Sequence, residues 1–257
     1  MPNATPHFVW YEAALPDAEA GRAFYSDVVG WSSSNAGAPD RPYYVFTAGA
    51  SPIGGLMPLS DEMRAMGVPP CWTGYVGVPD VDAYAARVVD AGGSVRRPPD
   101  DIPGIGRFAV VADPHGAAFI LFHGTGDMGP RPEPGAPGTV GWNELMAGDL
   151  DSAWAFYQSV FGWTPDQAVP MGELGTYQTF FTGGPFAEGG MMTTFPKEQG
   201  TYWKFYFNVP ALDAAIARLT AGGGKVVHGP MQVPGGRWMV QALDPQGALF
   251  ALLSQTR

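Results

Sequence analysis

Two stretches of this chain are copies of one another. Residues 8–31 read FVWYEAALPDAEAGRAFYSDVVGW, and residues 140–163 read VGWNELMAGDLDSAWAFYQSVFGW. One constant offset aligns Trp10 with Trp142, Glu12 with Glu144, Asp17 with Asp149, Phe24-Tyr25 with Phe156-Tyr157 and Gly30-Trp31 with Gly162-Trp163. A duplication constrains the fold more tightly than any composition does, because the chain must be built twice on one plan. Its 257 residues therefore divide into two domains. The expected boundaries are 1–123 and 139–257, with residues 124–138, dense in Gly and Pro, as a linker.

Each copy reads as strand, turn, helix and stop. The aromatic run from Phe8 to Ala13 predicts a strand, and Asp17 stands where a helix N-cap belongs. Ala20, Ala23, Phe24 and Val28 follow at helical spacing until Gly30 supplies a left-handed stop. Three strands are expected after each such helix, and glycine pairs at Gly54-Gly55 and Gly189-Gly190 mark close backbone approaches or bulges. A second unit of the same kind closes each half. Trp72–Val78 and Trp203–Val209 are predicted strands leading into helices that stop at Gly92-Gly93 and Gly222-Gly223. The turns Asp113-Pro114-His115-Gly116 and Asp244-Pro245-Gln246-Gly247 then precede apolar last strands. The plan occurs four times.

Composition excludes several classes. A formal charge of −10 and a pI near 4.7 disfavour nucleic-acid backbones and anionic membrane surfaces as partners. Cys71 is the only cysteine, so neither a disulfide framework nor a thiolate metal site is available. The N-terminus lacks the pattern of a secretory signal, and no apolar run reaches a spanning length of about 18 residues. A soluble, cytoplasmic protein is expected, as monomer or homodimer. No Ser/His/Asp or Cys/His arrangement, phosphate-binding loop or Rossmann turn is suggested.

The FYxxxxGW helix end, the VPD-type strand-to-helix entry, the AGG helix stop and the DPxG turn resemble the vicinal oxygen chelate superfamily. That superfamily holds glyoxalase I, extradiol dioxygenases and bleomycin-resistance proteins. The resemblance covers nearly the whole chain and is greatest to tandem two-domain actinobacterial members, often labelled glyoxalase-like or hydroxylase. It implies an α+β fold of four βαβββ modules, forming two glyoxalase/bleomycin-resistance-type domains with concave β-sheet cups. The motifs specify the fold more than the reaction.

Metal-dependent members place His, Gln or Glu on the first and last strands of paired modules. Carried onto this chain, the first-strand positions fall on Trp10, Trp142, about Thr73 and about Lys204. The last-strand positions fall near Gly54, Ile120, Gly189 and Ala251. None is a convincing ligand, and His7, His115, His123 and His228 neither repeat nor space as ligands, so no metal or other cofactor is expected. Glu12 and Glu144 lie two residues beyond the tryptophans, on the same strand face. They are expected to form structural ion pairs with Arg107 or Arg237, or else to bind a ligand amine or hydroxyl or act as a general base. Sequence does not separate pairing with Arg107 from pairing with Arg237. The remaining expected cup lining is Trp10, Trp142, Tyr75, Tyr206, Met57, Met192, Phe122 and Leu253.

Such a lining suits a flat aromatic ligand, and the acidic balance tolerates a cationic one. The expected function is therefore metal-free binding of a hydrophobic, polycyclic aromatic natural product, serving antibiotic self-resistance or biosynthesis. The alternative is an enzyme of this superfamily, a glyoxalase-type lyase or isomerase, a dioxygenase or a hydroxylase-like catalyst, using Glu12 or Glu144.

Overall fold

The structure, a computed structural model, describes residues 5–126, 133–194 and 200–257; residues 127–132 of the expected linker lie outside these. The first half runs β1 (His7–Leu15), α1 (Ala18–Val29), β2 (Ser32–Asn35), β3 (Tyr44–Ala48) and β4 (Ser51–Pro58). A short helix α2 (Asp61–Ala65) leads to β5 (Cys71–Gly77), α3 (Val81–Asp90), β6 (Ser94–Ile102), β7 (Gly106–Ala112) and β8 (Ala118–Gly124). The second half repeats the plan with β9 (Val140–Ala147), α4 (Leu150–Phe161), β10 (Thr164–Pro170), β11 (Thr176–Phe181) and β12 (Gly189–Thr193). It continues with β13 (Tyr202–Asn208), α5 (Leu212–Ala221), β14 (Lys225–Gln232), β15 (Trp238–Leu243) and β16 (Leu249–Ser254). Each half thus contains two βαβββ modules, as the repeats predict.

The helices form where caps and apolar spacing agree. Asp17 accepts from the Ala20 amide and Asp149 from the Ser152 amide, while Gly30 and Gly162 take left-handed φ of 89° and 72° at the other end. Both sheets have eight strands in equivalent order, β2-β3-β4-β1-β5-β8-β7-β6 and β10-β11-β12-β9-β13-β16-β15-β14. The pairs β1–β4, β5–β8, β9–β12 and β13–β16 are parallel, and the remaining ladders within modules are antiparallel. The edge strands β2, β6, β10 and β14 are largely exposed, and three of the four contain proline. Proline and exposed polar residues are what an edge tolerates. Among the described residues no helix is long and apolar enough to cross a membrane.

The described residues sort into two compact units, each taking one module from either half. One comprises residues 5–9, 73–126, 142–194 and 200–204, and the other residues 10–72, 133–141 and 205–257. Module one therefore associates with module four, and module two with module three. In the second of these units, Arg218 of α5 donates to the carbonyls of Asp27 and Val28 at the end of α1, at 2.7 and 3.0 Å. A guanidinium there satisfies carbonyls that the helix cannot bond itself. Gln246 bonds both the amide and the carbonyl of Asp17, at 2.7 and 2.8 Å.

At the centre of each unit lies a buried tyrosine. Tyr25 accepts from the Trp72 indole at 2.8 Å and donates to Asp244 at 3.0 Å. Tyr157 accepts from Trp203 at 3.0 Å and donates to Asp113 at 3.2 Å. Each aspartate belongs to a DPxG turn and also accepts two amides of its own turn, from Gln246 and Ala248 or from His115 and Ala117. Aromatic rings close around the tyrosines, with Tyr25–Trp72 centroids 5.0 Å apart edge-on and Tyr157–Trp163 stacked at 5.2 Å. Burial raises the pKa of both aspartates, the hydrogen bonds they accept acting against it.

Tyr25→Phe should destabilise the protein by about 1–3 kcal/mol in urea unfolding, because it strands the Trp72 N–H and a lone pair of Asp244 in the core. Tyr157→Phe should act likewise. The aspartates add a pH dependence with a definite sign. A carboxyl whose folded pKa is raised leaves the native state holding more protons, so stability falls as pH rises from the unfolded aspartate value, about 4, through the folded one. Asp113→Asn should flatten that part of the stability–pH curve.

Candidate functional site

The glycine pairs turn out to be close approaches. Gly55 pairs with Glu12 in the β1–β4 ladder, and Gly190 pairs with Glu144 in the β9–β12 ladder. A Cβ on Gly55 would collide with the Tyr43 phenol, and one on Gly190 with the Tyr177 ring. Each tyrosine ring lies over a bare glycine and so reaches the carboxylate on the neighbouring strand. Any side chain at that glycine would push the ring away.

The two clusters share one hydrogen-bond order. In the first, Trp10 Nε1 donates to Tyr43 Oη at 3.1 Å, and Tyr43 Oη donates to Glu12 Oε2 at 2.8 Å. In the second, Trp142 Nε1 donates to Tyr177 Oη at 2.6 Å, and Tyr177 Oη donates to Glu144 Oε1 at 3.1 Å. Burial first, and the adjacent carboxylate second, raise the pKa of Tyr43 and of Tyr177, so both phenols remain protonated donors at neutral pH. Glu12 and Glu144 are 8 % and 9 % exposed, whereas Trp10 and Trp142 are half-buried. The N–H of each half-buried indole is engaged by its tyrosine.

The second cluster carries two further groups. Lys204, 2 % exposed, places Nζ 2.6 Å from Glu144 Oε2. Tyr202 has its pKa raised by burial and then by the charge of Glu144. The expectation for Arg107 is corrected. Arg107 pairs with Asp82 at 2.6 Å and with Asp101 at 3.0 Å, at the rim, and not with either glutamate. Beginning β7 opposite His123, it is positioned to reach the first turn of α3 instead. Arg237 is half-buried, its pKa lowered by desolvation, in the wall of a cavity of 140 Å³ bordered by Asn208, Pro210 and Leu253.

The other expected lining residues have nearby partners of their own. Tyr75 meets Phe122 edge-on at 5.8 Å, and Tyr206 accepts from Gln241 at 3.1 Å. Met57 stands opposite Ala14, and Met192 opposite Met146. The histidines bond locally: His7 to the Thr5 carbonyl, His115 to Ser152, His123 to the Val78 carbonyl and His228 to Met231.

The superfamily's metal can be tested against these side chains. Where a chelating member has its first-strand ligand, Trp10 and Trp142 offer an indole that only donates, and does so to tyrosine. Ile120 and Ala251 have no donor atom, and the ammonium of Lys204 would repel a cation from Glu144. Among the described residues no three His, Cys, Asp or Glu side chains gather as a metal site. The donor set does not fit a resident metal ion.

The model of the Glyoxalase/Bleomycin resistance protein/Dioxygenase superfamily matches residues 7–121 and again residues 139–252. CFP32 of Mycobacterium tuberculosis, whose name assigns it provisionally to the glyoxylases, is 32 % identical over 98 % of this chain and 95 % of its own length. The anthracycline biosynthesis protein DauV of a Streptomyces species is 31 % identical over 95 % of this chain and 91 % of its own. Among solved structures, the Mn(II)-bound glyoxalase from Novosphingobium aromaticivorans superposes with a TM-score of 0.68 at 19 % identity. That match covers 99 % of this chain and 83 % of the other.

The buried ion pair yields a stability prediction. Lys204→Met should cost about 3–5 kcal/mol in thermal or urea unfolding, because it leaves the Glu144 charge buried with its cation removed. Adding Glu144→Gln in the same protein should recover most of that loss. Gly55→Ala should also destabilise, by displacing Tyr43 from Glu12.

Proposed function

Because the chain belongs to the Glyoxalase/Bleomycin resistance protein/Dioxygenase superfamily through both halves, we propose that it uses this fold as a metal-independent receptor for a hydrophobic polycyclic aromatic natural product of the anthracycline class. Its role is in antibiotic self-resistance or in antibiotic biosynthesis. The observation that carries this reading is the Trp10–Tyr43–Glu12 relay. An indole stands in the place of a metal ligand, and its only polar atom is spent on holding a tyrosine against a carboxylate. It offers a ligand a ring face for an aromatic system, beside a buried carboxylate.

Each part has a distinct task. Trp10, half-buried, supplies the stacking surface, and Met57 a polarizable neighbour on the same module. Glu12, oriented by the Tyr43 phenol, is the carboxylate that accepts from a ligand ammonium or hydroxyl. Tyr43 holds that carboxylate in orientation and, with its raised pKa, keeps its own proton. The net charge of −10 favours a cationic ligand at long range. The relationship to DauV supports the ligand class.

A second reading, a glyoxalase-type lyase using Glu12 as base, draws on the relationship to CFP32. The two readings differ in cheap observables. Daunorubicin titrated into the purified protein should quench fluorescence of the eight tryptophans saturably. Glu12→Gln should weaken that binding by about tenfold to a hundredfold, the value of a charged hydrogen bond. Absence of saturable quenching across a set of anthracyclines would overturn the receptor reading. Stoichiometric Ni, Zn or Fe in protein purified without chelator, with turnover lost in a folded Glu12→Gln protein, would establish the enzyme.

A further inference from the structure

Around Glu144 the polar side chains engage one another, with one exception. Trp142 Nε1 donates to Tyr177, Tyr177 donates to Glu144, and Glu144 faces the Lys204 ammonium. Tyr202 stands two residues before Lys204 on β13, the strand beside β9 in the sheet. Alternation puts both side chains on the face that meets Glu144. The Tyr202 ring is half-buried. Among the described residues nothing bonds its hydroxyl, yet that oxygen is not sealed in the core.

Tyrosines that serve the fold behave differently here. Tyr25, Tyr43, Tyr157 and Tyr177 each spend the hydroxyl on a carboxylate of the protein. Tyr202 lies in the field of Glu144 without bonding it, and burial first and that charge second raise its pKa. The phenol therefore keeps its proton at neutral pH and is available as a donor. A packed ring with a polar tip at the wet boundary is the arrangement by which tyrosine presents an O–H to a partner. The negative field at that tip disfavours an anionic acceptor and suits a neutral one, such as a carbonyl oxygen.

We propose that Tyr202 is a ligand-contacting residue of the second half: its phenol donates a hydrogen bond to a neutral carbonyl oxygen of the bound aromatic molecule, such as that of a quinone. This rests on the receptor reading above and deepens it, naming a donor for a ring carbonyl in addition to the carboxylate that reads an amine or hydroxyl. Ring and hydroxyl have separate tasks. The ring packs within the fold, and the hydroxyl serves the ligand, so removing the oxygen alone separates binding from stability.

Calorimetric titration of the full-length protein with daunorubicin, whose ring system carries quinone carbonyls, tests this. In the Glu12→Gln protein, where the first half is weakened, saturable binding should persist. Adding Tyr202→Phe should weaken it about threefold to tenfold, the value of a neutral hydrogen bond. In the same comparison the infrared carbonyl band of the bound drug should move to higher frequency, as a carbonyl does on losing a donor. Thermal unfolding of Tyr202→Phe without ligand should match wild type, because the substitution strands no described protein group. Unchanged affinity or an unchanged carbonyl band overturns the inference and leaves the receptor reading intact, as does a folded Glu12→Gln protein that no longer binds. A melting temperature lowered in the absence of ligand also overturns it, by assigning the hydroxyl to the fold. Failure of wild type to bind daunorubicin or any other anthracycline overturns the receptor reading, and the inference with it.

Discussion

The fold depends on one buried hydrogen bond made twice, from the tyrosine of an FY helix to the aspartate of a DPxG turn. Tyr25 lies in the first module and Asp244 in the last, while Tyr157 and Asp113 belong to the two middle modules. A carboxylate carried into an aromatic core is costly unless its lone pairs are met, and here two turn amides and a phenol meet them. The phenol is oriented in turn by a tryptophan N–H, so rearranging any member strands two others. This local requirement selects the partner of each module. A first module without the fourth would hold its tyrosine without an aspartate, and a second without the third would hold its aspartate without a tyrosine.

The same economy explains the site. Each carboxylate stands on the first strand of its half, beside a strand bearing a glycine at the paired position. That glycine exists for the tyrosine that lies across it. The chain thus spends a flexible residue inside a strand, ordinarily unfavourable, to bring a phenol onto a buried carboxylate. Tryptophan then completes the relay from the slot where chelating relatives place a ligand. An indole N–H can only donate, so at that slot it offers a metal ion no lone pair.

Much of this was legible in the residues. Asp17 and Gly30 announced α1 through their capping chemistry, and the glycine pairs announced close approach. The edge strands were not legible, because sequences such as SSSN and TPDQAVP have neither apolar alternation nor strand propensity; they pair only because a neighbour offers a ladder. Tyr43 and Tyr177 are repeated and so were detectable as a pair. Their role was not, since it depends on ring position over a strand that pairs only after folding. Arg107 misled because repetition suggested a common task, whereas proximity to Asp82 decides its partner. The slot of Lys204 suggests a metal ligand, which an ammonium is not; in the fold it is the cation beside Glu144.

Lys204 also shows how two copies of one plan can differ without disturbing the scaffold. The tryptophan beside it, Trp203, cannot drift, because it donates to the tyrosine that joins the modules of its unit. Positions on the other face of the strand are released from that constraint. There Lys204 meets a carboxylate that Tyr177 also holds, so the second half carries an ion pair at the position where the first half has Thr73. The alternation of a β-strand makes this possible: Trp203 on one face holds the tyrosine of its unit, while Lys204 on the other pairs with Glu144.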